Sequence, residues 1–535
     1  MVIQSNGTVR REIRTESLPV RVVASNGVTE AGNLLNEKPC AVAFHSEGFT
    51  RFEGAGSWVL LDFGRELCGG IRMLTRSAEL PSAWRLTFGE SVGEAMSSID
   101  EKNATNHHAM RDFVVQAPNM SDQRFGQTGF RFVRIELLSD RFTIVQSVLA
   151  DSTLPDLPRE AQIVTDDPLV NEILSTAAYT VKLCMQNDFV WDGIKRDRTV
   201  WCGDLHPELI TSQYLFGRTP NFDNALAFLA ASTRSDVWMN EIPSYSAWWV
   251  INLCDTVRYT GDRELLERYG DYARGVIAHI LSYVEENGDF TFPVERPYFL
   301  DWSTADHPEA QAGVASLFML MAEKYLQLEE NADCRLLLER LAKYTEWETT
   351  LKPVRAFQIL AGRRQEGDAA MLQEGGAAGL STFMAYYVLT ALAQVGGTDM
   401  LDILKQYYGG MLSRGATSFW EDFDIEWLEN SGRIDEFTPD GVRDIHGDFG
   451  KHCYQQYRHS LCHGWSAGVY AFIVEYILGI RIEEGGKRVR VAPHPCGLNR
   501  IEATLPLPQG ELKIKILDGV TAVVAPEDTV VELQN

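Results

Sequence analysis

The sequence contains no run of about 18 consecutive apolar residues, so no membrane-spanning helix is expected. It has no CxxC pair and no HExxH helix, which removes the familiar zinc patterns, and no glycine-rich phosphate loop. Nucleophilic serine chemistry is not expected either. The nine cysteines are odd in number and scattered, so a disulfide framework is not expected and the thiols are read as reduced; Cys202, Cys453 and Cys462 fall near segments of interest without the setting of a reactive thiol. Cations are scarce: 49 Lys and Arg face 74 Asp and Glu, for a net charge of −25. That balance disfavours nucleic acid and anionic membranes as partners and suits a neutral or cationic ligand, although acidity also serves solubility alone. The first twenty residues hold early cations but no apolar core of a secretory signal, so the expected address is the cytoplasm.

At 535 residues, two to four domains are expected. Residues 1 to about 155 carry short alternating runs such as "WRLTFGES" and "FRFVRIELL", broken by Gly, Ser, Asp and Pro, and predict an antiparallel β-sandwich. After a proline-bearing linker, Asp167 and Pro168 have the chemistry of a helix start, and the apolar period lengthens from two to about 3.6. Later helices are expected to end at Gly261 and Gly288. The helical span to about residue 480 has room for twelve helices, an (α/α)6 barrel over 156–480, and the alternation in "KRVRVAPHP" and "ELKIKILDG" predicts a small β-domain over 481–535.

Two stretches concentrate acids among aromatics. In "VWDGIKRDRTVWCGDLHPEL", Asp192, Asp197 and Asp204 are spaced five and seven apart, which does not follow one face of a regular helix but suits a loop entering one. More than 200 residues later, "GATSFWEDFDIEWLEN" interleaves Glu421, Asp422, Asp424 and Glu426 with Trp420, Phe423 and Trp427. Paired carboxylates across a barrel mouth are what glycoside hydrolysis needs: one to protonate the leaving oxygen, another to activate water. Each stretch alone also reads as a solvated, salt-bridged surface. Further aromatics occur in "SYSAWWV", where one of Trp248 and Trp249 is expected to face a cavity, in "FLDWST" and in "SLCHGWSAG".

Taken in order, "DGIKRDRTVWCGDLHPE", "PSYSAWWV", "FLDWST", "GATSFWEDFD" and "SLCHGWSAG" resemble the α-L-rhamnosidases of glycoside hydrolase family 78. "LLDFGRELCGG" and "VRVAPHPCGL" resemble that family's flanking β-domains. The resemblance implies an (α/α)6 catalytic barrel between β-domains and inverting release of terminal α-L-rhamnose. It assigns Asp197 as general acid and Glu421 as general base, and it implies Asp192, Asp204, Arg196, Trp201, Trp249, Trp302 and His463 as sugar-binding residues. It implies no metal or organic cofactor; a rhamnoside is the expected partner, and a homodimer is the base-rate expectation. This chain departs from the many members that carry glutamate as the acid. Guanidinium groups facing Asp197 would oppose its role as an acid, so Arg196 and Arg198 are expected to point away, with Asp192 and Asp204 raising its proton affinity. The rival readings are another (α/α)6 glycosidase, a polysaccharide lyase, or a catalytically idle sugar-binding protein.

Overall fold

The computed structural model describes residues 12–37, 41–44, 48–77 and 81–534. Residues 12–155 build one nine-stranded antiparallel sheet. Its longest strand, Trp58–Ser77, pairs through its first half with Arg21–Asn26 and through its second half with Thr143–Pro155, while Ser121–Leu137 follows it along both. The sheet therefore bends over a core that includes Phe52, Trp84, Phe88 and Phe130. At the bend, a Cβ on Gly69 would lie 2.2 Å from the Asp151 carbonyl oxygen, so the crossing strands leave no room for a side chain.

Twelve α-helices follow between Pro168 and Phe472 among the described residues. Asp167 caps the first, accepting the amides of Leu169 and Val170 as its sequence predicts. Leu205–Phe216, Pro243–Thr260, Ala310–Leu326, Lys352–Leu360, Ala385–Gln394 and Gly468–Phe472 each touch the next, and the last touches the first. These six close an inner ring. The alternate helices, such as Glu264–Leu281, lie outside it, and burial explains the assignment: all of Leu205–Phe216 is buried, whereas Glu264–Leu281 hides one stripe. Gly261 ends its helix in the left-handed conformation (φ 68°), but Gly288 does not end one. That helix stops at Leu281, and Gly288 serves a tight turn, donating its amide to the Glu285 carbonyl at 2.9 Å.

The chain closes in two small sheets. Arg500–Leu507, Gly510–Leu517 and Val520–Val524 form one together with Gln162–Thr165 from the segment ahead of the helices; Ile480–Glu483, Arg488–Val491 and Val530–Leu533 form the other. No described helix is long and apolar enough to cross a membrane.

Buried cations join the first sheet to the barrel: Arg131 of the sheet donates to the Gly415 carbonyl at 3.0 Å, and Lys195 reaches back the other way. The Lys195 ammonium lies 3.0 Å from Glu90 and 3.2 Å from Glu94, both carried by the sheet region, and donates to the Tyr457 carbonyl at 3.0 Å and to the His459 carbonyl. Burial works against its charge, yet Glu90 and Glu94 outweigh burial and hold its pKa above the usual value. Glu90 in turn accepts the Leu461 amide at 2.5 Å and the Ser460 hydroxyl at 3.1 Å. Removing the ammonium strands two buried carboxylates, so Lys195→Met should lower stability by about 3 to 5 kcal/mol. A denaturant titration followed by tryptophan fluorescence reads this; an unchanged midpoint would show that Lys195 does not hold the two regions together.

Candidate active site

The segments that lead into the inner helices converge at one mouth of the ring. Residues 191–204 precede Leu205–Phe216, residues 296–304 precede Ala310–Leu326, Ser381 and Thr382 precede Ala385–Gln394, and residues 419–465 precede Gly468–Phe472. Helix amino ends carry partial positive charge, which favours carboxylates gathered there.

The loop holding Asp197 is shaped by hydrogen bonds to itself. The Asp192 amide donates to the Thr199 carbonyl at 3.0 Å, and the Thr199 amide donates to Asp192 Oδ1 at 2.9 Å. Between these pins Asp197 and Arg198 both take left-handed backbone, with φ of 56° and 54°. Such conformations cost on the order of 1 kcal/mol or more for a non-glycine residue and persist where surrounding bonds enforce them.

Arg196 points toward the acid rather than away, correcting the expectation from sequence. Its Nη1 donates to Asp197 Oδ1 at 2.8 Å and its Nη2 donates to Glu421 Oε1, 225 residues along the chain. A buried guanidinium is stabilised by whatever carboxylates reach it, and here two do. Arg198 does point away: it lies over the Trp191 ring at 4.5 Å and donates to the Gln127 carbonyl at 3.1 Å. Glu421 Oε2 accepts the Ser460 amide at 2.8 Å, and the His463 ring lies 3.6 Å from Oε1. Burial raises the Glu421 pKa to about 7, with Arg196 pulling it down and Asp197 pushing it up.

Asp192 and Asp204 complete the cluster. Burial drives Asp192 well above the usual carboxylate range, helped by the charges of Asp197 and Asp204. Burial does the same to Asp204, opposed by its hydrogen bond from the Tyr245 hydroxyl at 2.9 Å and reinforced by Asp197 and Glu421. Burial keeps His463 neutral, with a pKa well below the ordinary value, and its Nδ1 has no hydrogen-bond partner.

Two cavities flank the Arg196 bridge. One of about 360 Å³ is lined by Asp192, Arg196, Asp197, Trp201, Asp204, Trp302 and His463. The other, of about 370 Å³, is lined by Glu421, Asp422, Asp301, Trp427 and Trp465. Trp302 and Tyr454 border both, with the indole N–H donating to the tyrosine hydroxyl at 2.6 Å. Trp249 borders neither: it is fully buried against Tyr269 and Tyr272 and donates to the Leu226 carbonyl at 3.2 Å. Trp248 is also core, packed on His206 and Tyr387, so neither tryptophan of the pair faces a cavity.

The structure adds residues that sequence reasoning left out of the site. His108, from the N-terminal sheet region, brings its Nε2 within 3.3 Å of Asp197 Oδ1. Asp422, quoted with its stretch but given no role, has its pKa raised to about 7 by burial and by Asp301 and Glu421. Tyr454 lies under the Arg196 guanidinium at 5.3 Å. Nothing in spacing or composition marks His108 or Tyr454, which reach the site by tertiary folding alone. The letters "GWSAG" at 464–468 do fit the pattern of a nucleophilic serine, but Ser466 is fully buried on a 3-10 turn and donates to the His463 carbonyl at 2.6 Å. It is not presented to a cavity.

Glu90, Glu94 and His446 place ligand-type atoms within 4.8 Å of one another, the spacing of a cation site. The Lys195 ammonium already serves both carboxylates, and the His446 nitrogens are paired with the Ser91 hydroxyl at 2.8 Å and the His459 carbonyl at 2.9 Å. This donor set is satisfied by the protein itself.

Residues 158–358 match the family model described as the bacterial α-L-rhamnosidase 6 hairpin glycosidase domain. Among solved structures, a GH78 rhamnosidase of Bacillus sp. GL1 superposes with a TM-score of 0.74 at 19% identity, covering 94% of this chain and 55% of that one. A rhamnosidase from Klebsiella oxytoca with rhamnose bound gives 0.69 at 20%, covering 87% and 96%. A Streptomyces avermitilis α-L-rhamnosidase complexed with L-rhamnose gives 0.66 at 17%, covering 89% and 48%. The chain thus spans about half the length of the Bacillus and Streptomyces proteins and nearly all of the Klebsiella one. No curated protein sequence matches the chain. The resemblance read from the ordered motifs and the expected barrel between β-domains are both borne out.

Because Arg196 pulls the Glu421 pKa down, Arg196→Met should move that titration upward from about 7. Carboxyl-carbon NMR of labelled protein, with Glu421→Gln as the assignment control, reads the shift; an unmoved titration would mean the bridge does not exist in solution.

Proposed function

We propose that this chain is an inverting glycoside hydrolase that releases terminal α-L-rhamnose from rhamnosides. The observation that carries the reading is Arg196, one guanidinium hydrogen-bonded to both Asp197 and Glu421 at the mouth of the helical ring. The rhamnose held by the Klebsiella and Streptomyces structures supports the choice of sugar.

In this mechanism the sugar lies in the cavity beside Asp197, with Trp201 and Trp302 offering apolar faces to the ring. Asp192 and Asp204, protonated through burial, donate hydrogen bonds to sugar oxygens. Asp197 gives its proton to the departing oxygen; the Arg196 guanidinium, which opposes protonation of Asp197 beforehand, favours that release and, with His108, stabilises the carboxylate left behind. Glu421 takes a proton from water attacking the opposite face. The two carboxylates are spaced by a guanidinium with a hydrogen bond at each end, which is compatible with the roughly 6.5 to 9.5 Å of inverting pairs.

Three outcomes are expected. Proton NMR of p-nitrophenyl α-L-rhamnoside hydrolysis should show β-rhamnose first; first appearance of the α-anomer would make the enzyme retaining, and no release would remove the reading. Glu421 acts unprotonated, so kcat/KM should fall about tenfold per pH unit below roughly pH 7. Asp197→Asn should cost about 100- to 10,000-fold on alkyl rhamnosides and far less on the p-nitrophenyl substrate, whose leaving group needs little protonation. Equal losses on both would reject Asp197 as the acid.

A further inference from the structure

A groove of about 480 Å³ opens beside the sugar cavity and shares three of its walls, Ile242, Arg296 and Phe299. Its other apolar surfaces are Val237, Trp238 and Val294. We infer that this groove is the leaving-group subsite and that it selects a neutral, apolar aglycone. The inference rests on the inverting rhamnosidase reading and extends it to the other half of the substrate.

The direction follows from where the two carboxylates face. In an inverting displacement the acid stands on the leaving-group side and the water held by the base approaches from the far side. Asp197 lines the cavity that borders the groove at Ile242, Arg296 and Phe299, whereas Glu421 lines the cavity on the other side of Trp302 and Tyr454. The departing group therefore leaves toward Ile242 and Phe299, and water arrives from the side of Glu421 and Asp422.

The groove is also a built surface. Trp238 is held by tilted contacts with the His279 and Tyr283 rings and an edge-on contact with Phe292, so it presents a fixed wall. Asn240 and Glu241 have left-handed backbone, φ 50° and 64°. Asn240 ties the groove to the acid loop: its Oδ1 accepts the Cys202 amide at 3.0 Å and its Nδ2 donates to the Val200 carbonyl at 3.3 Å. Val237 remains 48% exposed, an apolar side chain left to water beside a cavity. Glu241 and Glu295 also line the groove, while the Arg296 guanidinium stacks over Trp302 at 4.2 Å, so the charge at the rim disfavours an anionic leaving group. A volume near 480 Å³ suits a group of drug-like size.

The test is an alkyl series, methyl, butyl and hexyl α-L-rhamnoside, whose alkoxide leaving groups are alike in basicity, so that differences report binding of the chain. Each fully buried methylene is worth up to about fourfold, and kcat/KM should rise at least tenfold from methyl to hexyl. Val237→Asp and Val294→Asp should each collapse the hexyl-to-methyl ratio toward one. A flat series in the unaltered enzyme, or a ratio that both variants leave intact, overturns the subsite. Turnover of p-nitrophenyl α-L-rhamnoside in the same preparation separates the two claims: turnover with a flat series removes the groove alone, whereas no release of rhamnose from any substrate removes both.

Discussion

Two consecutive cations, Lys195 and Arg196, are the constraint on which the site depends. Lys195 faces the sheet region and ties Glu90 and Glu94 to the carbonyls of Tyr457 and His459. Arg196 faces the barrel mouth and ties Asp197 to Glu421. The chain bends at Lys195 and Arg196, and their side chains reach two different buried acid clusters. The position of Glu421 relative to Asp197 is thereby set from both sides: directly by Arg196, and indirectly because Glu90 holds Ser460 and Leu461, whose segment supplies the amide that Glu421 accepts. The β-sheet region is in this sense a wall of the site, and His108 is its most direct contribution.

The mouth holds more negative charge than its cations can balance. Asp192, Asp197, Asp204 and Glu421 gather in a largely buried space, with Arg196 bridging Asp197 and Glu421. Such a cluster must bind protons at neutral pH, since desolvated like charges cannot all ionise. Acids that keep their protons supply hydrogen-bond donors to a polyhydroxy ligand, in a chain with a net charge of −25.

Much of this was legible in the sequence, and the failures have identifiable causes. The five-and-seven spacing of Asp192, Asp197 and Asp204 marked a loop entering a helix, and these residues do line one cavity. The helical span was legible from its period, but Pro243–Thr260, which carries both tryptophans, is buried on nearly every face and leaves no stripe from which to tell a core tryptophan from a cavity one. Trp249 was misplaced for that reason. Arg196 was misdirected because a pairwise argument, that a cation weakens an acid, ignored the second carboxylate that makes its position favourable. His108, Tyr454 and the walls of the groove stand on loops whose meeting depends on tertiary folding, which periodicity does not encode.

Closure of the inner ring has a consequence for synthesis. The first inner helix meets the last through contacts such as the Thr211 hydroxyl donating to the Ala467 carbonyl at 3.1 Å, 256 residues apart. At about 5 to 20 residues per second, roughly 13 to 50 s of translation separate the two halves of that contact. The nascent chain must carry an open arc of apolar helices throughout, with no partner for its first edge. The ring therefore closes only after residue 468 has been made, however early its first helix forms.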